Sequence, residues 1–99
     1  MITHVVIFWV DKPVKKHAEA LLAAAKKLEE IQGVKHLRFG PPVESDRGVV
    51  DDSFAVAMTM EFKSEKALKK YVKHAQHVKF IQGPVKASVR RIVAYDFES

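Results

Sequence analysis

The segment Tyr71-Val72-Lys73-His74-Ala75-Gln76-His77 brings a phenol and two imidazoles together in one short stretch. A histidine titrates at about pH 6.5 and can take or give a proton near neutrality, while a tyrosine hydroxyl donates a hydrogen bond to an oxygen that gathers charge. That pairing suits proton removal beside a carbonyl. If one helix runs through the segment, Tyr71 and His74 share a face. If the helix breaks at Ala75, His77 is free to swing back toward a sheet. A structural role fits the same residues: a buried Tyr and His that satisfy each other or the backbone.

His4 is the second point of chemical interest. It shares strand parity with Val6, Phe8 and Val10. A histidine that opens an apolar stripe must sit at the rim or find a partner, and a rim position and a ligand-facing one both fit. His4 with His74-x-x-His77 also supplies three imidazoles, as some zinc sites do. No carboxylate lies in that motif to support a metal, and none is expected. His17, among Lys15, Lys16 and Glu19, and His36, in a mixed strand, read as surface residues. There is no nucleophile elbow, phosphate-binding glycine loop or dinucleotide fingerprint.

The elements that must position these residues follow from periodicity. Residues 3–10 are β-branched and aromatic and read as a strand. Pro13 is placed to open a helix. From residue 14 to 31, Ala18, Leu21, Leu22, Ala25, Leu28 and Ile31 recur every three or four positions, an amphipathic helix with Gly33 as its expected cap. Residues 34–39 alternate Val34, His36 and Arg38 against Lys35, Leu37 and Phe39, a half-exposed strand that Gly40-Pro41-Pro42 stops. Residues 43–52 form a polar loop. A third strand, 54–62, carries Phe54, Val56, Met58, Met60 and Phe62 on one face.

Ser64 is the expected N-cap of a second helix with a stripe of Ala67, Leu68, Tyr71 and Val72. A helical piece over 76–82 follows, interrupted at Gly83-Pro84, and then a last strand over 88–97. The order β-α-β-β-α-β predicts an α+β ferredoxin-like sandwich over residues 1–99, with the first and third strands central.

One face of that sheet lies under the helices. The other is also apolar, with Val5, Ile7 and Trp9 on the first strand and Val89, Val93, Tyr95 and Phe97 on the last. A bare patch of that kind predicts a homodimer whose open sheet faces meet.

Composition limits the function classes. The chain has 99 residues, 47% hydrophobic, with no cysteine, so it is one domain without a disulfide or thiolate metal site. Its 17 basic and 12 acidic residues give a net charge of +5. The lysines are scattered among acidic neighbours, as on a solvated face, and no nucleic-acid partner is expected. The longest apolar run, residues 5–10, is far shorter than the roughly 18 residues that span a bilayer, so no membrane partner is expected. With no export signal visible, the expected location is cytoplasmic.

The opening Thr3-His4-Val5-Val6-Ile7-Phe8, the segment from Tyr71 through His77-Val78-Lys79-Phe80, and the ending Val93-Ala94-Tyr95-Asp96-Phe97 carry a resemblance. Over nearly its whole length the chain resembles the stress-responsive dimeric α+β barrel (Dabb) family. The resemblance implies a ferredoxin-like monomer whose sheet closes into a barrel with a second copy. That family includes plant stress proteins and a plant polyketide cyclase, olivetolic acid cyclase. The cyclase's tyrosine and histidine match Tyr71 and His77, and its N-terminal pocket histidine matches His4.

By that resemblance His77 removes a proton α to a carbonyl. Tyr71 orients His77 and steadies the oxyanion. His4, Val6, Phe8, His74 and Phe80 line a pocket between sheet and helices for a small, largely apolar molecule. Two positions depart from the pattern: Ala75 stands where the family often has proline, and the first helix offers Leu21, Leu22 and Ala25 where the cyclase has aromatics. The expectation is a stress-response protein that binds such a molecule without a cofactor; the alternative is a cyclase- or lyase-like enzyme.

Overall fold

A computed structural model describes residues 1–99. Four strands form one antiparallel sheet in the order β2-β3-β1-β4. They are β1 (Ile2–Val10), β2 (Lys35–Gly40), β3 (Val56–Phe62) and β4 (Val89–Glu98). Helix α1 (Val14–Lys26) follows β1, and α2 (Glu65–Lys73) and α3 (Ala75–Phe80) follow β3. The chain is therefore a ferredoxin-like α+β sandwich with β1 and β3 at its centre.

Burial alternates along the central strands, as a sheet with one covered face requires. Val6, Phe8, Val56, Met58, Met60 and Phe62 are buried beneath the helices. The α1 stripe supplies Leu21 and Ala25, and Leu28 follows in a 3₁₀ turn (Lys27–Glu30). At the start of α2 the Ser64 side chain accepts the Ala67 N–H at 3.2 Å, the expected cap.

Several local expectations are corrected. Gly33 does not cap the helix. It sits at φ +98° in a turn closed by the Val34 N–H on the Ile31 carbonyl, a conformation that glycine adopts without a Cβ penalty. In β2, His36 is an extra residue at φ 52° where the register with β3 shifts. That bulge puts Lys35 opposite Glu61 and Arg38 opposite Thr59, so Lys35 parts from the face of Leu37 and Phe39. A second register shift pairs Trp9 with Arg91 but Val10 with Val89. Val89 therefore packs against the core, not on the open face.

Trp9 is only 8% exposed although it belongs to the outer face. Its indole N–H donates to Ser53 at 3.0 Å, and the Arg91 guanidinium lies 4.4 Å above its ring. The chain's own loop covers that end of the sheet. Val5, Ile7 and Val93 are half-buried on the rest of the outer face, and Tyr95 and Phe97 are 62% and 54% exposed.

Gly83-Pro84 does not interrupt the last helical stretch. The chain passes through them in a π turn (Ile81–Val85) and a short helical turn (Lys86–Ser88). Pro84 lacks an N–H, and the wider turn lets the Lys86 N–H reach back to the Ile81 carbonyl. His17, read as a surface residue, is half-buried, and its Nδ1 lies 3.0 Å from the Ser88 hydroxyl, tying α1 to that turn.

Candidate active site

The break between α2 and α3 builds the site. His74 is extended at φ −63° and ψ 139°, so the helical path stops there and restarts at Ala75. The His74 Nδ1 accepts the Gln76 N–H at 3.1 Å and serves as the N-cap of α3. This bend turns His77 back over Tyr71, with ring centroids 4.6 Å apart.

Tyr71 is the centre of a cluster of rings. Phe62 lies at 5.1 Å on one side, and His4 stands edge-on at 6.1 Å. His4 reaches this point because β1 starts beneath α2 with its even-numbered residues facing inward. It is 9% exposed and donates from Nδ1 to the Asp96 carboxylate, its neighbour across the β1–β4 ladder. That carboxylate holds His4 at the inner face of the sheet.

His4, Tyr71 and His77 line one cavity of about 170 Å³. Val6 and Phe8 form its floor on β1, and Phe80 closes it from α3, edge-on to Phe8 at 6.4 Å. Met58, Ile81, Ile92 and Ala94 add apolar wall. Six of the seven expected site residues thus meet in one place.

His74 does not join them. It is exposed, its Nδ1 is engaged by the backbone, and it lies outside the cavity. The three-imidazole arrangement is therefore not assembled, and no group of three or more His, Asp or Glu side chains converges anywhere. Val72, expected in the buried stripe of α2, is 46% exposed and contributes to the cavity wall.

The electrostatics distinguish the imidazole of His77 from the phenol of Tyr71. The His77 Nδ1 donates to the Val72 carbonyl at 2.9 Å. A carbonyl only accepts, so this bond fixes the proton on Nδ1 and leaves Nε2 with a free lone pair. Burial holds the His77 pKa below its ordinary value, and neighbouring His4 adds to the effect, while the Val72 hydrogen bond opposes both. Burial pushes the Tyr71 hydroxyl well above its ordinary pKa, so it stays protonated. Tyr71 is 1% exposed as a residue, and its hydroxyl makes no hydrogen bond to the chain. No side-chain polar atom is both fully buried and unpartnered, so that hydroxyl keeps some accessible surface, and Tyr71 lines the cavity.

The hydrogen bond that holds the His77 ring runs to the Val72 carbonyl, and Tyr71 packs against that ring. Asp96 and Val72 are the residues that sequence reasoning missed. Asp96 had a signal: it shares strand parity with Ile92 and Ala94, which line the cavity beside His4. Val72 had none, because its role runs through a backbone carbonyl.

Comparison with known proteins places this geometry in a known fold. No curated protein matches the chain. A Dabb family protein with a ferredoxin-like fold from Mesorhizobium loti superposes with a TM-score of 0.78 at 24% identity, covering 99% of this chain and 95% of that one. A dimeric ferredoxin-like protein of unknown function from Thermobifida fusca gives 0.77 at 22% identity, over 99% and 90%. A hydroxynitrile lyase from Passiflora edulis gives 0.80 at 18% identity, over 97% and 90%. At these identities the likeness establishes the fold. No helix is long and apolar enough to cross a membrane. The family profile for the stress responsive A/B barrel domain matches residues 2–99, and the chain belongs to that family.

Proposed function

We propose that this protein binds a small, largely apolar molecule in the cavity between β1 and the α2–α3 bend, and that His77 can move a proton on it. The observation that carries this reading is the convergence of His4, Tyr71 and His77 on one cavity with apolar walls. Its volume, about 170 Å³, is close to the ~150 Å³ of a dry protein cavity that takes up benzene. A single ring or a short carbon chain fits that space better than a polyketide does. The reading therefore favours lyase-like over cyclase-like chemistry, in keeping with the lyase that shares the fold.

In the enzymatic form of this reading the Nε2 of His77 takes a proton from the carbon beside a carbonyl. The Tyr71 hydroxyl donates to the carbonyl oxygen as negative charge builds on it. General-base catalysis of this kind contributes roughly 10²–10⁴-fold. The His4–Asp96 pair holds a second polar edge against the ligand.

We extend the proposal to assembly. Val5, Ile7, Val93, Tyr95 and Phe97 form an apolar outer face, and a second copy packed against that face completes a barrel. The dimeric Thermobifida fusca protein with this fold supports the reading. A stress-response role, as the family's description suggests, and a cytoplasmic location complete it.

The test is a melting screen against small aldehydes and ketones, followed by proton exchange in heavy water. A bound ligand at a hundred times its Kd stabilises by about 2.7 kcal/mol, a readily measured shift. Deuterium incorporation beside the carbonyl, read by NMR, should be lost in His77→Ala while binding persists. A panel in which no compound raises Tm overturns the binding reading. Exchange that survives in His77→Ala overturns the catalytic one.

A further inference from the structure

Beside the cavity lies a second hollow, a cleft of about 470 Å³ between α2 and the paired ends of β1 and β4. Only His4 and Val72 line both. His4 is buried and tied to Asp96, so it is a fixed wall. Val72 is different. It stands in the last turn of α2, half-exposed, and its fixed part is the carbonyl that holds the His77 Nδ1–H.

The two hollows differ in character. The inner one is walled by Phe8, Phe80 and their apolar neighbours, while the cleft sets Lys69, Lys73, Glu65 and Glu98 around an apolar strip of Ile2, Leu68 and Phe97. Neither lysine pairs with a carboxylate, so both ammonium groups are available to a polar ligand end.

We propose that the Val72 side chain is the partition between inner cavity and cleft, and that it sets the length of ligand the site accepts. The inference rests on the reading of the inner cavity as a ligand site. It implies an elongated ligand class: an apolar body seated against Phe8 and Phe80, with a polar end that passes Val72 into the cleft. Trimming the side chain leaves the Val72 carbonyl in place, so the His77 tautomer is unchanged and only the passage widens. Val72 is already 46% exposed, and Val72→Ala should fold normally.

The experiment measures binding of benzene and of n-alkylbenzenes up to n-hexylbenzene, by calorimetry. In the unaltered protein affinity rises with the first carbons and then levels off where the chain meets Val72. Each further methylene that finds apolar surface strengthens binding about fourfold. Val72→Ala should extend the rise by at least two carbons, so n-hexylbenzene tightens roughly 15-fold relative to benzene. Ile81→Ala is the comparison, because Ile81 lines the inner cavity and not the cleft. A Val72→Ala profile that superimposes on that of the unaltered protein, or an equal extension in Ile81→Ala, overturns the partition while benzene binding keeps the ligand site standing. If no alkylbenzene binds any of the three proteins, the ligand-site reading falls and the partition with it.

Discussion

Tyr71→Phe removes one oxygen from the centre of the site and nothing else. The ring is held by Phe62 at 5.1 Å and by His77 at 4.6 Å, and those contacts survive the change. The hydroxyl has no partner in the chain, so the fold loses no hydrogen bond. Stability should move by less than about 1 kcal/mol, and Tm by less than roughly 8 °C. A ligand oxygen, in contrast, loses its donor. One neutral hydrogen bond is worth about 0.5–1.5 kcal/mol net, a roughly two- to tenfold change in Kd. Benzaldehyde and styrene isolate that term. They share a shape, and one carries an oxygen where the other carries a methylene. Titration calorimetry on both proteins should show benzaldehyde weakened two- to tenfold, roughly, and styrene unchanged. Equal weakening of both would mean that the substitution deforms the cavity. No weakening of either would mean that the hydroxyl does not face the ligand oxygen, and the oxyanion role would be lost.

Three other outcomes follow from the same geometry. The folded-state pKa of His77 is lowered, so between that value and the ordinary 6.5 the unfolded chain binds a proton that the folded chain does not. Its contribution is therefore fully present above the unfolded pKa and is lost as pH falls through the folded one. Denaturant midpoints at acid and neutral pH should differ less in His77→Gln than in the unaltered protein. Phe8→Ala removes a ring that is 1% exposed and packed edge-on to Phe80; it should cost about 3–5 kcal/mol by urea unfolding, and a cost below about 1 kcal/mol would deny Phe8 its place in the core. Tyr95→Asp puts a charge on the outer sheet face and should raise the dimer Kd at least about 30-fold by sedimentation. An unaltered protein that stays monomeric at micromolar concentration would refute the face-to-face pairing.

Strand periodicity made most of the architecture legible. The alternation of Val56, Met58, Met60 and Phe62 marks a covered face, and the structure buries all four. The two-sided apolar character of β1 put it at the sheet centre, where it lies. Both register errors came from bulges. A bulge adds one residue, and one residue reverses the face of everything beyond it. His36 in β2 and the shift after Trp9 each did this, and neither position has a glycine to announce it. The cover over Trp9 was invisible for a different reason: the loop residue Ser53 and the strand residue Arg91 meet only in three dimensions.

The site was legible in its residues and not in its mechanics. Tyr71 and His77 are six positions apart, a spacing that no continuous helix places on one face. Their meeting depends on one extended residue between them, and that residue is His74. By type and spacing His74 looked like part of the chemistry. Its imidazole instead accepts the Gln76 N–H, which starts α3 where Ala75 offers no proline to force a break. The lone pair that a metal or a substrate proton would need is spent on the backbone. The Val72 carbonyl sits just before that break, so the same interruption that brings His77 to Tyr71 also supplies the acceptor that fixes the His77 tautomer. Two histidines in one motif thus divide the work. His74 bends the chain, and the bend turns His77 onto the cavity with its Nδ1–H on the Val72 carbonyl, the arrangement that the proposed base requires.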